Sequence, residues 1–330
     1  MKASLLDYLA CPFCHSPLRL EVSARAGDII EAGAVQCPSC GDSYPIRGGI
    51  PDMLCPRLAG IDLKLREVRG WVAMASKDGW YEPDDRVDLA LPYVVEKLGW
   101  DPRGAAVWVA TRTSFERLLN CYVRPGMRVL EVGAAKTWAG RYFIQRGCRY
   151  TACDLVGDAN IGVGRSRFFT ERFGHYEAVV ADAEQLPFAD GSFDLVYGVA
   201  ALHHALDLRR MVGQMARVAR RGAVVAGLNE GVRSYRAGAE AGVQGKEKQF
   251  GINEHVHTLG DYRAAFRRGG LRIAEMTLGL DRAGAGPKGK LGRLIDALQR
   301  IPRIGGPMAT WLTLGLLLPY GGVTIFARKP

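Results

Sequence analysis

With 330 residues, of which 48% are apolar and 24% charged, the chain has the composition of a soluble globular protein and the length for one large domain with an appendage, or for two domains. A formal charge of +10 favours anionic partners (nucleic acid, phosphorylated compounds, an acidic membrane surface) without choosing among them. The opening MKASLLDYLACPFC has no long apolar stretch before its first cysteine pair, and eight cysteines in a chain this long do not make a disulfide scaffold, so a reducing, cytoplasmic setting is expected.

Four of those cysteines form two tight pairs, Cys11 and Cys14 in CPFC and Cys37 and Cys40 in CPSC. Each pair sits on a tight turn, so two sulfurs reach one ion from one side. Two such turns facing each other offer four thiolates in a tetrahedron, the geometry Zn2+ adopts. A module this small buries little core, so the metal is expected to supply much of its folding free energy. His15 directly follows a ligand and reads as a surface residue, while Cys55, Cys121, Cys148 and Cys153 are scattered and read as ordinary buried thiols. The stretches LLDYLACPFCHSPL and CPSCGDSYPIRGGIPDML resemble the Trm112-like zinc-ribbon family over about the first 55 residues. Ribbons of that family act alone as activating partners of methyltransferases or are fused to enzymes. All four ligand positions match, which implies a structural site with no open coordination position. The ribbon is expected over residues 1–56.

Residues 57–122 read as a helical linker or cap, with helical stretches broken by Gly and Pro. Trp71, Trp80, Tyr81, Trp100 and Trp108 lie in it and read first as helix-packing aromatics. The sharper alternative is a cap closing over a ligand on the next domain.

From residue 123 to 330 apolar strands alternate with helices. Strands are expected at RVLEV, YTACDL, YEAVVADA, FDLVYGVAAL, AVVAGLNE, LRIAEMTLG and GGVTIFARK. Helices are expected at WAGRYFIQRG, VGRSRFFTERFG, LDLRRMVGQMARVARRG and LGDYRAAFRRGG. The fold class is therefore α/β and Rossmann-like: a seven-stranded, mostly parallel sheet with helices on both faces, plus the small N-terminal zinc ribbon. Ligands of such sheets bind at the carboxyl ends of the strands. Acids stand there: Glu131 at the end of the first strand, Asp154 at the end of the second, where a carboxylate can take both ribose hydroxyls, and Asp182 after the third. The intervening turn is poor in glycine, with Gly133 followed by Ala134, Ala135 and Lys136, a failed fingerprint for a dinucleotide. Alanine fits such a turn where φ is negative. Lys136 suits an anionic substrate better than a dinucleotide's phosphates.

VLEVGAA, ACDL, ADAEQLPFADGSFDLVYGVAALHH and the Gly-Gly-Leu turn before the sixth strand resemble the class I S-adenosylmethionine-dependent methyltransferases, especially the ubiquinone/menaquinone-type or type 11 group, over roughly residues 115–280 and the last strand. The resemblance implies that Glu131 and Gly133 border the methionine part of S-adenosylmethionine, that Asp154 holds the ribose, and that Asp182 with Ala183 holds the adenine. Ala134, Ala135, Leu155 and Tyr197 complete the expected cofactor set. The chain departs from the family's E/D-x-G-x-G-x-G pattern after its first glycine. The turn is still expected to bind the cofactor.

The fourth strand lacks the N/D-P-P-Y/F stretch of amino-methylating nucleic-acid enzymes, and no cysteine nucleophile stands near it. O-methylation of a small-molecule, saccharide or lipid-linked acceptor is therefore the leading expectation. An RNA-directed methyltransferase and a non-catalytic, partner-docking protein are the alternatives. Candidate catalytic residues are His203 and His204 after the fourth strand, and His255 and His257, which share one face if extended. A second metal site made from these histidines is a further, less favoured reading. The stretch from Arg233 to His255 is glycine-rich and polar and reads as a mobile loop near the substrate mouth. A basic, then apolar, helical insertion at about 281–320 reads first as a lid on its own domain and second as a membrane-surface element.

Overall fold

A computed structural model describes residues 1–238, 243, 245–279, 297, 298, 301 and 320–330. The expected insertion at about 281–320 lies almost wholly outside the described residues. Among the described residues, no helix is long and apolar enough to cross a membrane.

At the N-terminal end β1 (Arg19–Ala26), β2 (Ile29–Gln36), β3 (Ser43–Arg47) and β4 (Ile50–Pro51) form an antiparallel meander in sequence order. Its few inward side chains, Ile30, Val35, Tyr44 and Ile46, are buried. Four helices follow: α1 (Ile61–Lys77), α2 (Asp85–Ala90), α3 (Val94–Leu98) and α4 (Ala106–Tyr122). Asp84 caps α2 by accepting from Arg86 N at 2.9 Å.

The main sheet comprises β5 (Arg128–Val132), β6 (Arg149–Asp154), β7 (Glu177–Val180), β8 (Phe193–Val199), β9 (Ala219–Arg233), β11 (Arg272–Gly279) and β12 (Tyr320–Arg328), with the two-residue β10 (His257–Thr258) beside β9. Their order is β7-β6-β5-β8-β9-β12-β11. The first five run parallel, and β12 is antiparallel to both β9 and β11, so it alone is reversed and the sheet is mostly parallel, as expected. The helices are α5 (Gly140–Ile144), α6 (Ser166–Phe173), α7 (Leu208–Val218), α8 (Gly245–Gln249) and α9 (Leu259–Arg268). Two expected helices are clearly shorter than their periodicity suggested: α5 covers only Gly140–Ile144 of WAGRYFIQRG, and α7 is cut at its end. α7 ends at Val218 rather than Gly222, because Ala219 pairs with Phe193 and starts β9.

Strand alternation divides the core in two. Val129, Leu195, Tyr197 and Ala226 pack with Phe115 of α4 and Phe143 of α5 on one face. Leu130, Val132, Val196 and Val225 pack on the other with Val212 and Met215 of α7 and Phe266 of α9. The second core runs on without a break into Leu5, Leu9, Ile30 and Tyr44 of the N-terminal meander. The seam is specific. Met53 N donates to Val180 O at 2.8 Å along the outer edge of β7, and Ala10 N donates to Pro187 O at 2.9 Å. Tyr8 packs edge-on against Phe193 with its ring centroid 5.6 Å away.

Candidate functional site

The two cysteine turns are built alike. Cys11 O accepts from His15 N at 2.9 Å, and Cys37 O accepts from Gly41 N at 2.9 Å. His15 (φ 59°) and Gly41 (φ 79°) hold equivalent left-handed positions, so exposed His15 serves the turn with its backbone. The Sγ atoms of Cys11 and Cys40 are 3.6 Å apart, and those of Cys14 and Cys37 are 3.4 Å apart. All four sulfurs lie within 4.8 Å of one another. A tetrahedron of thiolates about 2.3 Å from zinc has sulfurs roughly 3.8 Å apart, so this set fits the ion. Tyr44 Oη lies 3.6 Å from Cys11 Sγ, a second-layer contact to one ligand.

The second site is a cavity of about 530 Å³ over the carboxyl ends of the central strands. The sheet's connections diverge at β5, with β6 on one side and β8 on the other, and such a point is where open α/β sheets bind ligands. Gly133 leaves β5 with φ 68°, and a Cβ on it would fall 2.5 Å from the Cβ of Ala201. Ala135 (φ 43°) and Thr137 (φ 60°) are also left-handed. The expected negative φ therefore holds for Ala134 and fails for Ala135. Alternate residues of this turn keep the backbone that glycines take in the family's pattern, although two of them are not glycine. Thr137 is held there by its side chain, whose Oγ1 is 2.8 Å from Tyr176 Oη. Asp154 secures the other edge: its carboxylate accepts from Ala135 N at 2.7 Å and from Val156 N at 2.8 Å. Burial pushes the Asp154 carboxyl up, and these backbone donors oppose that shift.

Gly133, Ala135, Asp154, Leu155, Asp182 and Ala183 line the cavity, whereas Glu131, Ala134 and Tyr197 do not. Glu131 points into the core under α5, where it accepts from Tyr150 Oη with Tyr197 beside it. Burial pushes its carboxyl up to about 8.

The rest of the wall comes from the linker. Lys64, Glu67 and Trp71 recur at helical spacing on one face of α1 and all line the cavity. Lys64 Nζ lies 2.6 Å from Glu184 and 3.5 Å from Asp182. Glu184 also accepts from Leu206 N at 2.7 Å and Asp207 N at 3.0 Å, tying the loop after β7 to the start of α7. Burial pushes Glu67 up to about 8. All five tryptophans among the described residues, Trp71, Trp80, Trp100, Trp108 and Trp138, border this one cavity. The first reading of the linker aromatics as mere helix packing is thereby incomplete. Asp88, 1% exposed, anchors the same wall: it pairs with Lys136 at 3.3 Å and Arg165 at 3.0 Å.

Of the four histidines, only His204 lines the cavity. Its Nδ1–H donates to Asn253 O at 2.7 Å, which leaves Nε2 unprotonated, and its ring meets Trp71 edge-on at 5.4 Å. Burial, then His203 and Lys64, lower its pKa to about 3, so the ring is neutral. His203 is buried behind it against Glu230 at 2.9 Å. His255 and His257 have rings 5.9 Å apart across buried Val256, on one side of the chain as expected, but neither borders the cavity. Residues 245–258, expected within or beside a mobile loop, are packed: Glu247, Ile252 and Glu254 are buried, and a Cβ on Gly70 of α1 would meet Phe250 O at 2.3 Å.

Lys64, Glu67 and Glu184 were missed in the sequence because nothing local marks them. A charged pair three residues apart within the stripe ending at Trp71 is the one available signal.

Residues 130–226 match the methyltransferase domain family and residues 2–49 the Trm112p-like protein family. The malonyl-[acyl-carrier protein] O-methyltransferase of Pectobacterium atrosepticum is 33% identical over 116 residues, covering 35% of this chain and 44% of that one. A UPF0434 protein of Pseudomonas fluorescens is 50% identical over 54 residues, covering 16% of this chain and 75% of its own. Among solved structures, the [4+2]-cyclase SpnF superposes with a TM-score of 0.53 at 15% identity, over 80% of this chain and 96% of that one, a likeness of fold. The chain spans 44%, 36% and 64% of the lengths of three curated methyltransferases it matches. By these matches, the chain carries a class I S-adenosylmethionine-dependent methyltransferase domain and, at its N-terminal end, a Trm112-like, zinc-binding cysteine cluster.

Proposed function

We propose that the chain transfers a methyl group from S-adenosylmethionine to an oxygen of a small-molecule, saccharide or lipid-linked acceptor. One observation carries this reading: the acid-bearing strand ends and the tryptophan wall open into the same cavity, so cofactor and acceptor meet there. Bound S-adenosylmethionine supplies a methyl activated on a sulfonium sulfur. In this reading Asp154 takes the ribose hydroxyls, Asp182 and Ala183 take the adenine edge, and the turn at Gly133 and Ala135 brings backbone close to the methionine part. Lys64 and Glu67 close the cavity over the cofactor from α1. Glu131 acts through the core, holding β5 to β6 by way of Tyr150.

The tryptophans favour an acceptor with an apolar or ring-shaped body, which stacks on indole faces and excludes water from the transfer. His204 presents a neutral imidazole with an unprotonated Nε2. It is a weak base at its depressed pKa and serves as a hydrogen-bond acceptor that orients a hydroxyl. His203, His255 and His257 play no direct part. One relative named as an O-methyltransferase supports oxygen as the target, against sterol relatives named as C-methyltransferases. The ribbon's role is to brace the β7 edge from within the chain.

The test is transfer of labelled methyl from S-adenosylmethionine to a panel of hydroxylated polyketides, sugars, quinols and glycolipids. Label in a hydroxyl-bearing apolar acceptor, lost with Asp154→Ala, is the expected result. Binding of the cofactor with label appearing only in RNA would replace the acceptor assignment.

A further inference from the structure

We propose that His203, His204 and Glu254 form a site for one divalent metal ion, separate from the cysteine cluster, that clamps residues 245–258 onto the turn after β8. Among the described residues only two groups bring metal-type donors this close together, the four cysteines and this one. One donor atom from each of His203, His204 and Glu254 lies within 4.8 Å of the others.

The donors are already oriented. Glu230 is 0% exposed, and its carboxylate is fixed by Ala201 N and Leu202 N, each at 3.1 Å. It accepts from Nδ1–H of His203 at 2.9 Å, which sets the tautomer and leaves Nε2 with its lone pair. A carboxylate behind a histidine in this way is the usual outer layer of a metal-binding imidazole. His203 Nε2 lies 3.7 Å from Glu254 Oε2, and the same oxygen lies 3.4 Å from His204 Nδ1. Donors about 2.0–2.2 Å from one ion sit roughly 3–4 Å apart, so a small contraction brings these three onto a metal. His204 exchanges its hydrogen bond to Asn253 O for the ion. Its Nδ1 proton passes to Nε2, so the ring stays neutral, and with the ion bound Nε2–H faces the cavity as a donor to a hydroxyl oxygen in place of the acceptor it is in the metal-free site.

Charge points the same way. Glu230, Glu247 and Glu254 are all buried around two imidazoles, and Glu247 shares a hydrogen bond with Glu254. A divalent cation would take the place of the proton these two carboxyl groups share and offset the buried carboxylate charge. Two imidazole nitrogens and one carboxylate suit Zn2+, Fe2+, Mn2+ or Co2+, with Glu247 or water at an open position. The clamp has a consequence for the cavity. Residues 245–258 already join the turn through His255 N to His203 O at 3.0 Å, and His204 is the wall residue between them and the cavity. The proposal does not depend on methyl transfer.

The experiment is elemental analysis and equilibrium dialysis of the full chain, zinc-loaded at the cysteines, against Zn2+, Mn2+ and Co2+. Two metal ions per chain are expected, with the second lost in His203→Ala and in Glu254→Gln and retained in His175→Ala, a control at a histidine outside the cluster. Bound Co2+ should show the weak visible bands of nitrogen and oxygen ligation without thiolate charge transfer. This spectrum of the wild-type chain keeps the test decisive if a variant fails to fold. Uptake of one ion in all, a second ion that survives both substitutions, or cobalt absorption of thiolate type would each overturn the proposal.

Discussion

Cys11, Cys14, Cys37 and Cys40 converge from two turns of one small meander, and every ligand is a protein atom. The cavity over the main sheet instead draws its lining from residue 64 to residue 211, and its chemistry is to be completed by molecules that come and go. The first site holds a fold together, and its residues stand in pairs that cannot be moved apart. The second positions ligands, and side chains far apart in sequence share the work. The two are mechanically linked, since one apolar core runs from Leu5 and Tyr44 to Phe188 and Phe193.

That contrast can be broken in order of size. Removing the zinc by chelation, or by Cys37→Ser, should unfold the meander and cost the whole chain more than about 4 kcal/mol, because the β7 edge loses its cover. Two separate transitions in calorimetry, with the main sheet melting unchanged, would show that the regions are independent. Next comes the tryptophan wall. Trp108→Ala should raise acceptor KM on the order of tenfold while the cofactor Kd moves less than about threefold. Equal loss of both would make the wall part of the cofactor site.

A third effect is a pH dependence. The folded pKa of Glu131 is about 8, above its unfolded value, so the folded state holds a proton there that the unfolded state has released. The stability this group contributes is present below the ordinary carboxylate range and is lost as pH rises toward 8. Glu131→Gln should therefore flatten the fall in urea midpoint between pH 5 and pH 8, and an unaltered slope would mean that Glu131 is ionised in its core. The smallest effect belongs to the turn. Ala135→Gly relieves a left-handed alanine and should stabilise the chain by roughly 1 kcal/mol, read from the same urea curves.

What the sequence could disclose follows the range of the interactions. Cysteine pairs three positions apart, strand alternation and acids at strand ends are local patterns, and they led directly to the metal cluster, the mostly parallel sheet and the cavity's acidic rim. The backbone of the turn was half legible: its spacing was visible, but the left-handed φ of Ala135 depends on Asp154 accepting its N–H from the next strand. Lys64, Glu67 and the tryptophan wall were hidden because linker helices must dock before their faces acquire a meaning. The Glu230–His203 pair was hidden for the same reason, since two strands' ends must meet to form it. Whether the segment boundaries near residues 56 and 122 mark independent folding units is a proposal that the shared core weighs against.

The central claim is that the glycine-poor turn and Asp154 still hold S-adenosylmethionine. Calorimetric titration of the zinc-loaded chain with S-adenosylmethionine and S-adenosylhomocysteine, beside Asp154→Ala, tests it most directly. One site per chain with a Kd on the order of micromolar, weakened at least roughly a hundredfold in the variant, is the predicted result. No heat with either compound, or equal affinity in the variant, would contradict the account.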